Sequence, residues 1–148
     1  KGYQLDSLAR YYLWQFDLDY AHSTGHGVGS FLGVHEDGCG IGKNNQHILL
    51  PNMILSNEPG VYLPDKYGIR LENLLLVKEY NKNFLCFETL SLAPFDHNLI
   101  DVKMLTYPEK KWLKEYHQNI WQQTSKHLNE AEKNFLLDCV NKFSFDIC

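Results

Sequence analysis

The first fifteen positions carry apolar residues at the spacing of a helix. Between residues 4 and 15 they recur at i, i+3, i+4, i+7 and i+8 and form one face, made of Leu5, Leu8, Ala9, Tyr12 and Leu13. This period predicts an amphipathic helix that buries this face. Residues 16–45 are rich in glycine and turn-forming residues, and they are predicted as an irregular glycine-rich segment.

Residues 52–94 have the composition of strands. The segments M-I-L-S-N-E and G-I-R-L-E-N-L-L-L-V flank the turn residues P-D-K-Y-G, and this arrangement predicts a hairpin with a loop. The segment F-L-C-F-E-T-L-S-L partly alternates apolar and polar residues, which predicts a further strand.

The remaining residues return to a helical pattern. Thr106-Tyr107-Pro108-Glu109 fits a capping box with proline in the first turn, and the face that follows contains Trp112, Leu113, Tyr116 and Ile120. A second helix is predicted from Asn129, with Glu132 three residues on and an inward face of Phe135, Leu136, Cys139 and Val140. The predicted order is helix, glycine-rich segment, antiparallel sheet and two helices, which is an α+β fold.

Composition narrows the classes of protein. The 148 residues suit one domain or a large piece of one, and 44% hydrophobic residues permit a core. The scattered charges sum to −4, which argues against nucleic-acid binding, and no apolar run approaches the roughly 18 residues of a membrane span. None of the cysteines forms a C-x-x-C pair, so they are interpreted as reduced thiols of a cytoplasmic protein: Cys39, Cys86, Cys139 and Cys148.

Residues 20–36 combine three histidines with four glycines, as Y-A-H-S-T-G-H-G-V-G-S-F-L-G-V-H-E. A phosphate-binding loop is disfavoured because Ser30 stands where G-x-G-x-x-G needs its third glycine, and no β-branched run leads in as a strand. A glycine-rich turn with incidental histidines and a metal site both remain open. The other histidines are interpreted as incidental, and His117 is placed on a surface helix.

The predicted hairpin supplies carboxylates for a metal site. If it folds about Asp65, Glu58 falls directly opposite Glu72, and two facing like charges are tolerable when a cation lies between them. Alternation along the second strand puts Arg70 on the face of Glu72. An ordinary surface ion pair between Arg70 and one glutamate is the alternative. Pro59 indicates a bulge or an edge position.

These motifs together resemble a known family. The stretch H-S-T-G-H-G-V-G-S-F-L-G-V-H-E, then M-I-L-S-N-E-P-G-V-Y, then G-I-R-L-E-N resemble the "pita-bread" metallopeptidases, which include methionine aminopeptidase, prolidase, aminopeptidase P and creatinase. The downstream F-E-T-L-S-L-A-P-F-D run is most similar to the aminopeptidase P branch, which removes an N-terminal residue preceding proline. The resemblance covers residues 2–122. It implies a curved antiparallel sheet flanked by helices.

The resemblance assigns roles to particular residues. It implies that the metal ligands are His26, Glu58 and Glu72. It implies that His22 and His35 contact the substrate, that Arg70 orients the last ligand and that Tyr62 supports the ligands. The family binds two divalent ions that activate a water molecule, Glu58 is the candidate for relaying its proton, and this ligand set suits Mn²⁺ and can hold Zn²⁺ or Co²⁺.

The family's two aspartate ligands have no counterpart here. Asp6 and Asp17 are assigned as neither, because Asp6 belongs to the first helix. The chain is therefore expected to be the C-terminal portion of a longer enzyme, with residues 1–106 in the catalytic domain and residues 107–148 as a helical extension. Alone it is expected to be inactive and poorly soluble.

Alternatives and partners follow from the same resemblance. A prolidase-like dipeptidase and a non-catalytic peptide-binding module on the same fold remain open. The expected partners are peptides with proline at the second position. The aromatic residues Trp112, Tyr116 and Trp121 either pack within the extension or form the surface of a homodimer of the full-length protein.

Overall fold

The computed structural model describes residues 1–31 and 33–144 and divides the chain into two compact units, Lys1–Ser91 and Leu92–Cys148. This boundary lies earlier in the chain than the predicted one, which follows residue 106. The predicted boundary concerns the domains of the longer protein, and it stays a prediction. Within the described residues, none of the helices combines the length and the apolarity that a membrane crossing requires.

The described residues of the first unit form one helix and seven strands. These are α1 (Gly2–Trp14), β1 (Gly25–Gly27), β2 (Glu36–Ile41), β3 (Ile54–Asn57), β4 (Gly60–Leu63), β5 (Tyr67–Arg70), β6 (Asn73–Asn81) and β7 (Phe84–Thr89). A five-stranded antiparallel sheet has the order β2-β1-β3-β6-β7, and β4 pairs with β5 in a separate two-stranded sheet. The α+β class is confirmed. The glycine-rich segment, predicted without strands, contributes β1 and β2.

The predicted hairpin register is confirmed on both sides of the two glutamates. Gly60 pairs with Arg70 in one ladder and Asn57 pairs with Asn73 in the other, so both ladders keep one register about Asp65. Asp65 takes a positive φ of 58° at the hairpin tip, a conformation that aspartate tolerates in turns. Glu58 and Glu72 therefore occupy facing positions between the two ladders.

The buried side of α1 differs from the predicted one. Leu8 and Tyr12 are 68% and 70% exposed, whereas Gly2, Asp6 and Arg10 are buried. The predicted apolar face was wrong because an ion pair between Asp6 and Arg10, 2.8 Å apart, turns the polar side of the helix inward. Of the predicted face, Leu5 packs against the sheet's core, which consists of Ile41, Leu49, Leu55, Leu75 and Val77.

The second unit contains α2 (Tyr107–Thr124) and α3 (Glu130–Asn141), with 3₁₀ turns at His97–Leu99, Val102–Met104 and Ser125–His127. Both predicted capping boxes are confirmed. The carboxylate of Glu109 accepts from the amide of Thr106. The carboxylate of Glu132 accepts from the amide of Asn129, and the amide of Glu132 donates to the side-chain oxygen of Asn129. Its core is formed by Tyr116, Ile120 and Leu136, with Phe95, Trp121, Leu128 and Val140 packed around them.

Two expectations for the second unit are wrong. Phe135 is 68% exposed rather than inward, because α3 buries Leu136 instead. His117, placed on a surface helix, is fully buried because it stacks on the ring of Phe143 at a centroid distance of 3.8 Å.

The cysteines of the described residues carry free thiols, namely Cys39, Cys86 and Cys139. Cys148 lies outside the described residues. Cys39 contacts the core of the first unit, and burial raises the pKa of its thiol, as does the charge of Glu36. A raised pKa keeps a thiol protonated and unreactive at neutral pH.

Candidate metal centre

Gly25 allows β1, the strand that carries His26, to lie close to β3. A Cβ at Gly25 would overlap the carbonyl oxygen of Ser56, so only glycine lets β1 approach β3 this closely. The amide of His26 donates to the hydroxyl of Ser56 at 3.0 Å, and its Nδ1 lies 2.9 Å from the carbonyl oxygen of Gly27. These contacts involve the amide and Nδ1 of His26, so its Nε2 can face Glu58.

The carboxylate of Glu58 is held from several sides. Its Oε1 accepts a hydrogen bond from Ser56 Oγ at 2.8 Å and lies 3.1 Å from Nε2 of His26. Its Oε2 lies 3.4 Å from Nη1 of Arg70. Its amide donates to the carbonyl oxygen of Thr24 at 2.7 Å, which explains why Glu58 leaves the strand ladder. The carboxylate is therefore fixed in direction as well as in position.

A hydrogen-bonded chain joins His22 to this carboxylate. Arg70 Nε donates to the hydroxyl oxygen of Tyr62 at 2.8 Å, and that hydroxyl lies 2.8 Å from Nε2 of His22. Because the oxygen already accepts from Arg70, its own proton is available to His22. The hydrogen bond to Tyr62, followed by the charges of Glu58 and Glu72, raises the pKa of Arg70, although desolvation opposes this.

His35 and Glu72 complete the predicted set. The imidazole of His35 lies against that of His26, with ring centroids 4.1 Å apart. Glu72 faces Glu58 in the hairpin register but is exposed. The predicted residues thus lie in one region of the first unit. Ser56 was missed by sequence reasoning, although it precedes Glu58 by two residues, and period two along a strand could have indicated it.

The donor chemistry fits a divalent cation. When Nδ1–H of His26 donates to Gly27, the lone pair of Nε2 converges with Oε1 of Glu58, and two acceptors this close need a proton or a cation between them. Imidazole nitrogen and carboxylate oxygen are ligands of Mn²⁺ and Zn²⁺. Within the part of the chain that is described, no three histidine, cysteine or acidic side chains are already arranged around one ion.

Known proteins are similar to this chain in both sequence and fold. Residues 1–79 match the model of metallopeptidase family M24, and residues 83–143 match that of the C-terminal region of peptidase M24. The chain is 47% identical over 141 residues to a probable Xaa-Pro aminopeptidase P of Arthroderma gypseum, covering 88% of this chain and 22% of that protein. It is also 47% identical over 142 residues to one of Coprinopsis cinerea, with 89% and 23% covered.

Solved structures of other proteins have a similar fold. The X-prolyl aminopeptidase of Caenorhabditis elegans, described as a cytosolic enzyme with a di-nuclear active site, superposes with a TM-score of 0.87 and 37% identity over 94% of this chain and 24% of that one. The Xaa-Pro dipeptidase of Bacillus anthracis gives 0.55 and 31% identity over 64% and 25%. The chain spans less than a quarter of the curated relatives described above. It belongs to metallopeptidase family M24 and has the pita-bread fold of that family.

Proposed function

We propose that this chain supplies metal ligands and substrate contacts to an aminopeptidase that hydrolyses the N-terminal X-Pro peptide bond. The observation that carries the proposal is the convergence of His26 Nε2 and Glu58 Oε1 at 3.1 Å, beside a hairpin register that sets Glu72 opposite Glu58. Relatives with 46–47% identity bear the name Xaa-Pro aminopeptidase P, which supports this substrate class.

His26, Glu58 and Glu72 are the residues that would hold divalent metal. Two such ions, proposed to be Mn²⁺ with Zn²⁺ or Co²⁺ as alternatives, would supply Lewis-acid chemistry that lowers the pKa of water toward neutrality. Because three ligands make an incomplete set for two ions, we propose that further ligands lie outside these 148 residues. The di-nuclear site of the Caenorhabditis elegans enzyme supports the number of ions.

Glu58 is proposed to move the proton. Its Oε1 is held by Ser56 at 2.8 Å, so the carboxylate can accept a proton from an attacking water without turning away. Arg70, which lies on the other oxygen at 3.4 Å, fixes the plane of the carboxylate. A base held in this way needs no reorganisation during the reaction, which is the condition for efficient general base catalysis.

His22 and His35 are proposed to contact the substrate. Both imidazoles are connected to the ligand residues, His35 through the ring of His26 and His22 through the hydroxyl of Tyr62. The imidazole N–H of His35 can donate to the carbonyl oxygen or to the peptide nitrogen at the scissile bond. For His22, the two ring nitrogens lie 2.8 Å from the carbonyl oxygen of Ser23 and 2.8 Å from the hydroxyl of Tyr62, so the substrate would replace one of these partners. Tyr62 connects His22 to Arg70, so these side chains would hold one geometry together.

A dipeptidase is the second candidate, because the Xaa-Pro dipeptidase of Bacillus anthracis shares the fold at 31% identity. The aminopeptidase is preferred because the likeness to the Caenorhabditis elegans enzyme extends over 94% of the chain. A peptide-binding module without metal is the third candidate. A cytoplasmic location is proposed from the reduced thiols and from that cytosolic relative.

Cleavage of X-Pro peptides by the complete gene product tests this proposal. Release of the first residue is expected to depend on Mn²⁺ and to fall by at least about 100-fold in Glu58→Gln, because a neutral amide cannot accept the proton. The control is Glu88→Gln, which changes an exposed carboxylate of β7 paired with Lys78 and is expected to retain activity. The 148 residues alone are expected to show no cleavage.

Two other outcomes would favour an alternative function, and a third would contradict the role of Glu58. Cleavage of X-Pro dipeptides but not of longer X-Pro peptides would favour the dipeptidase. The absence of both bound metal and cleavage, after Mn²⁺, Zn²⁺ or Co²⁺ has been added, would favour the binding module. A Glu58→Gln variant as active as the Glu88→Gln control would contradict the role of Glu58.

A further inference from the structure

Helix α1 buries an ion pair that takes no part in the proposed chemistry. Asp6 and Arg10 each have an exposed fraction of 1%, and Nε of Arg10 lies 2.8 Å from Oδ2 of Asp6. Burying two charges is costly unless their remaining donors and acceptors are also satisfied. The partners of this pair therefore show what the pair holds in place.

The guanidinium of Arg10 binds the backbone that leads to the histidines. Its Nη1 donates to the carbonyl oxygen of Tyr20 at 2.6 Å and to Oδ1 of Asp19 at 2.5 Å. Its Nη2 donates to the carbonyl oxygen of His22 at 2.7 Å. Burial opposes the charge, but the hydrogen bonds to Asp6 and Asp19 outweigh it and raise the pKa of Arg10, so the cation persists.

The carboxylate of Asp6 continues the same series of contacts. Its Oδ1 accepts from the hydroxyl of Thr24 at 2.6 Å. The carbonyl oxygen of Thr24 in turn accepts from the amide of Glu58 at 2.7 Å. The ion pair thus contacts the stretch before β1 at alternate residues, through Tyr20, His22 and Thr24, and this stretch leads directly to His26.

The side chain of His22 lies within the same arrangement. Its imidazole lies against the ring of Tyr20 with centroids 4.8 Å apart, and the guanidinium of Arg10 covers the ring of Tyr20 at 3.8 Å. Its Nε2 reaches the hydroxyl of Tyr62 at 2.8 Å. The backbone of His22 is thus held on one side, and its imidazole is contacted by Tyr20, Tyr62 and the carbonyl oxygen of Ser23 on the other.

We propose that Arg10 is a positioning residue for His22, because its guanidinium fixes the backbone from which that imidazole reaches toward Tyr62 and the substrate. The consequence for catalysis rests on the proposed X-Pro aminopeptidase function. The role requires the planar fork of arginine: one guanidinium donates in diverging directions to Asp6, Asp19 and two carbonyl groups, which a lysine ammonium cannot reproduce.

Arg10→Lys in the complete gene product tests this role, because it keeps the buried charge and removes the fork. We expect kcat for X-Pro cleavage to fall about 10- to 100-fold with KM unchanged within about twofold, the pattern of a misplaced group acting in the transition state. The control Lys133→Met removes the ion pair of Lys133 with Glu130 at 2.8 Å on α3, and it is expected to keep kcat within about twofold.

A double-mutant cycle separates positioning from general support of the fold. In a His22→Gln background, Arg10→Lys is expected to change kcat by less than about twofold, because the group that it positions is already absent. The same fold-loss in both backgrounds would show that Arg10 acts on the fold alone. A kcat equal to that of the unchanged protein would overturn the proposal directly.

A second readout does not depend on activity. In the metal-free protein, the imidazole nitrogen NMR signals of His22 are expected to shift in Arg10→Lys, while those of the exposed His127 stay unchanged. Unchanged His22 signals would overturn the positioning role. Absence of X-Pro cleavage in the unchanged protein, with shifted His22 signals, would refute only the proposed function. Should Arg10→Lys not fold, the neutral pair Asp6→Asn, Arg10→Gln takes its place in both measurements.

Discussion

At the scale of single residues, His117 shows how burial selects one protonation state. Its Nδ1 lies 2.7 Å from the carbonyl oxygen of Leu113, and its Nε2 accepts from the amide of Phe95 at 3.1 Å. An imidazole that accepts at Nε2 is neutral. Burial is the largest cause that lowers the pKa of His117 from its ordinary value of 6.5, and the contact with the carbonyl oxygen of Leu113 opposes it.

The stability of the second unit should therefore fall with acid. Above pH 6.5 both folded and unfolded chains hold a neutral His117, and its contribution is complete. Below it the unfolded chain binds the proton first, so the free energy of unfolding falls by up to about 1.4 kcal/mol per pH unit until the folded pKa is reached. Urea unfolding followed by the fluorescence of Trp112 and Trp121 measures this slope.

Two variants give this prediction its controls. His117→Gln is expected to flatten the dependence below pH 6.5, since the titrating group is gone. His127→Gln changes an exposed histidine and should leave the slope as it was. A slope that survives in His117→Gln would assign the acid sensitivity to other groups.

Some residues could be placed correctly from the sequence and others could not, for different physical reasons. Glu58 and Glu72 could be placed opposite each other because a hairpin register depends on local spacing. The buried ion pair of Asp6 with Arg10 could not be foreseen, because a helical period ranks faces by apolarity and takes no account of partners elsewhere in the chain. His117 was misplaced for the same reason: its partner Phe95 precedes the helix.

At the scale of elements, β1 depends on the absence of side chains. A Cβ at Gly25 would overlap the carbonyl oxygen of Ser56 on the neighbouring strand, whereas a Cβ at Gly33 would meet no atom of the described residues closer than 3.8 Å. Gly25→Ala is therefore expected to push β1 from β3, cost about 1–3 kcal/mol and displace His26. Thermal unfolding and Mn²⁺ binding by the complete gene product measure the two effects.

Gly33→Ala serves as the matched control and should change neither quantity by more than about 0.5 kcal/mol. Equal effects of the two substitutions would contradict the close approach at Gly25. The short strands β1 and β2 escaped prediction because their glycines carry no hydrophobic pattern, and only neighbouring strands define them. Helices α2 and α3 were predictable because their capping boxes are local.

At the scale of the whole molecule, we propose that the complete gene product dimerises through α2. Trp112 is 45% exposed and stacks on the buried Tyr116 at a centroid distance of 5.1 Å, so it presents an aromatic surface on a rigid support. Trp121, in contrast, packs into the core of the second unit. Of the three aromatic residues predicted for this surface, Trp112 is thus the most accessible for a partner.

Trp112→Glu is expected to convert the dimer to a monomer in sedimentation velocity, because a charge at the centre of an apolar contact is left without solvent or a partner. Tyr107→Glu is the control, because it adds the same charge at another exposed aromatic residue of α2, about 140° around the helix from Trp112. It is expected to leave the dimer intact. A dimer that survives Trp112→Glu, or a gene product that never dimerises, would contradict the proposal.

The shared register about Asp65 constrains how related sequences can diverge. Gly60 with Arg70, and Asn57 with Asn73, are paired by their equal distance from the hairpin tip. Insertion of one residue between Asn57 and Gly60 would turn Glu58 to the opposite face of the hairpin, although every side chain of the site would still be encoded. Related sequences are therefore expected to keep the length of the segment between Asn57 and Gly60 as strictly as they keep the side chains of the site.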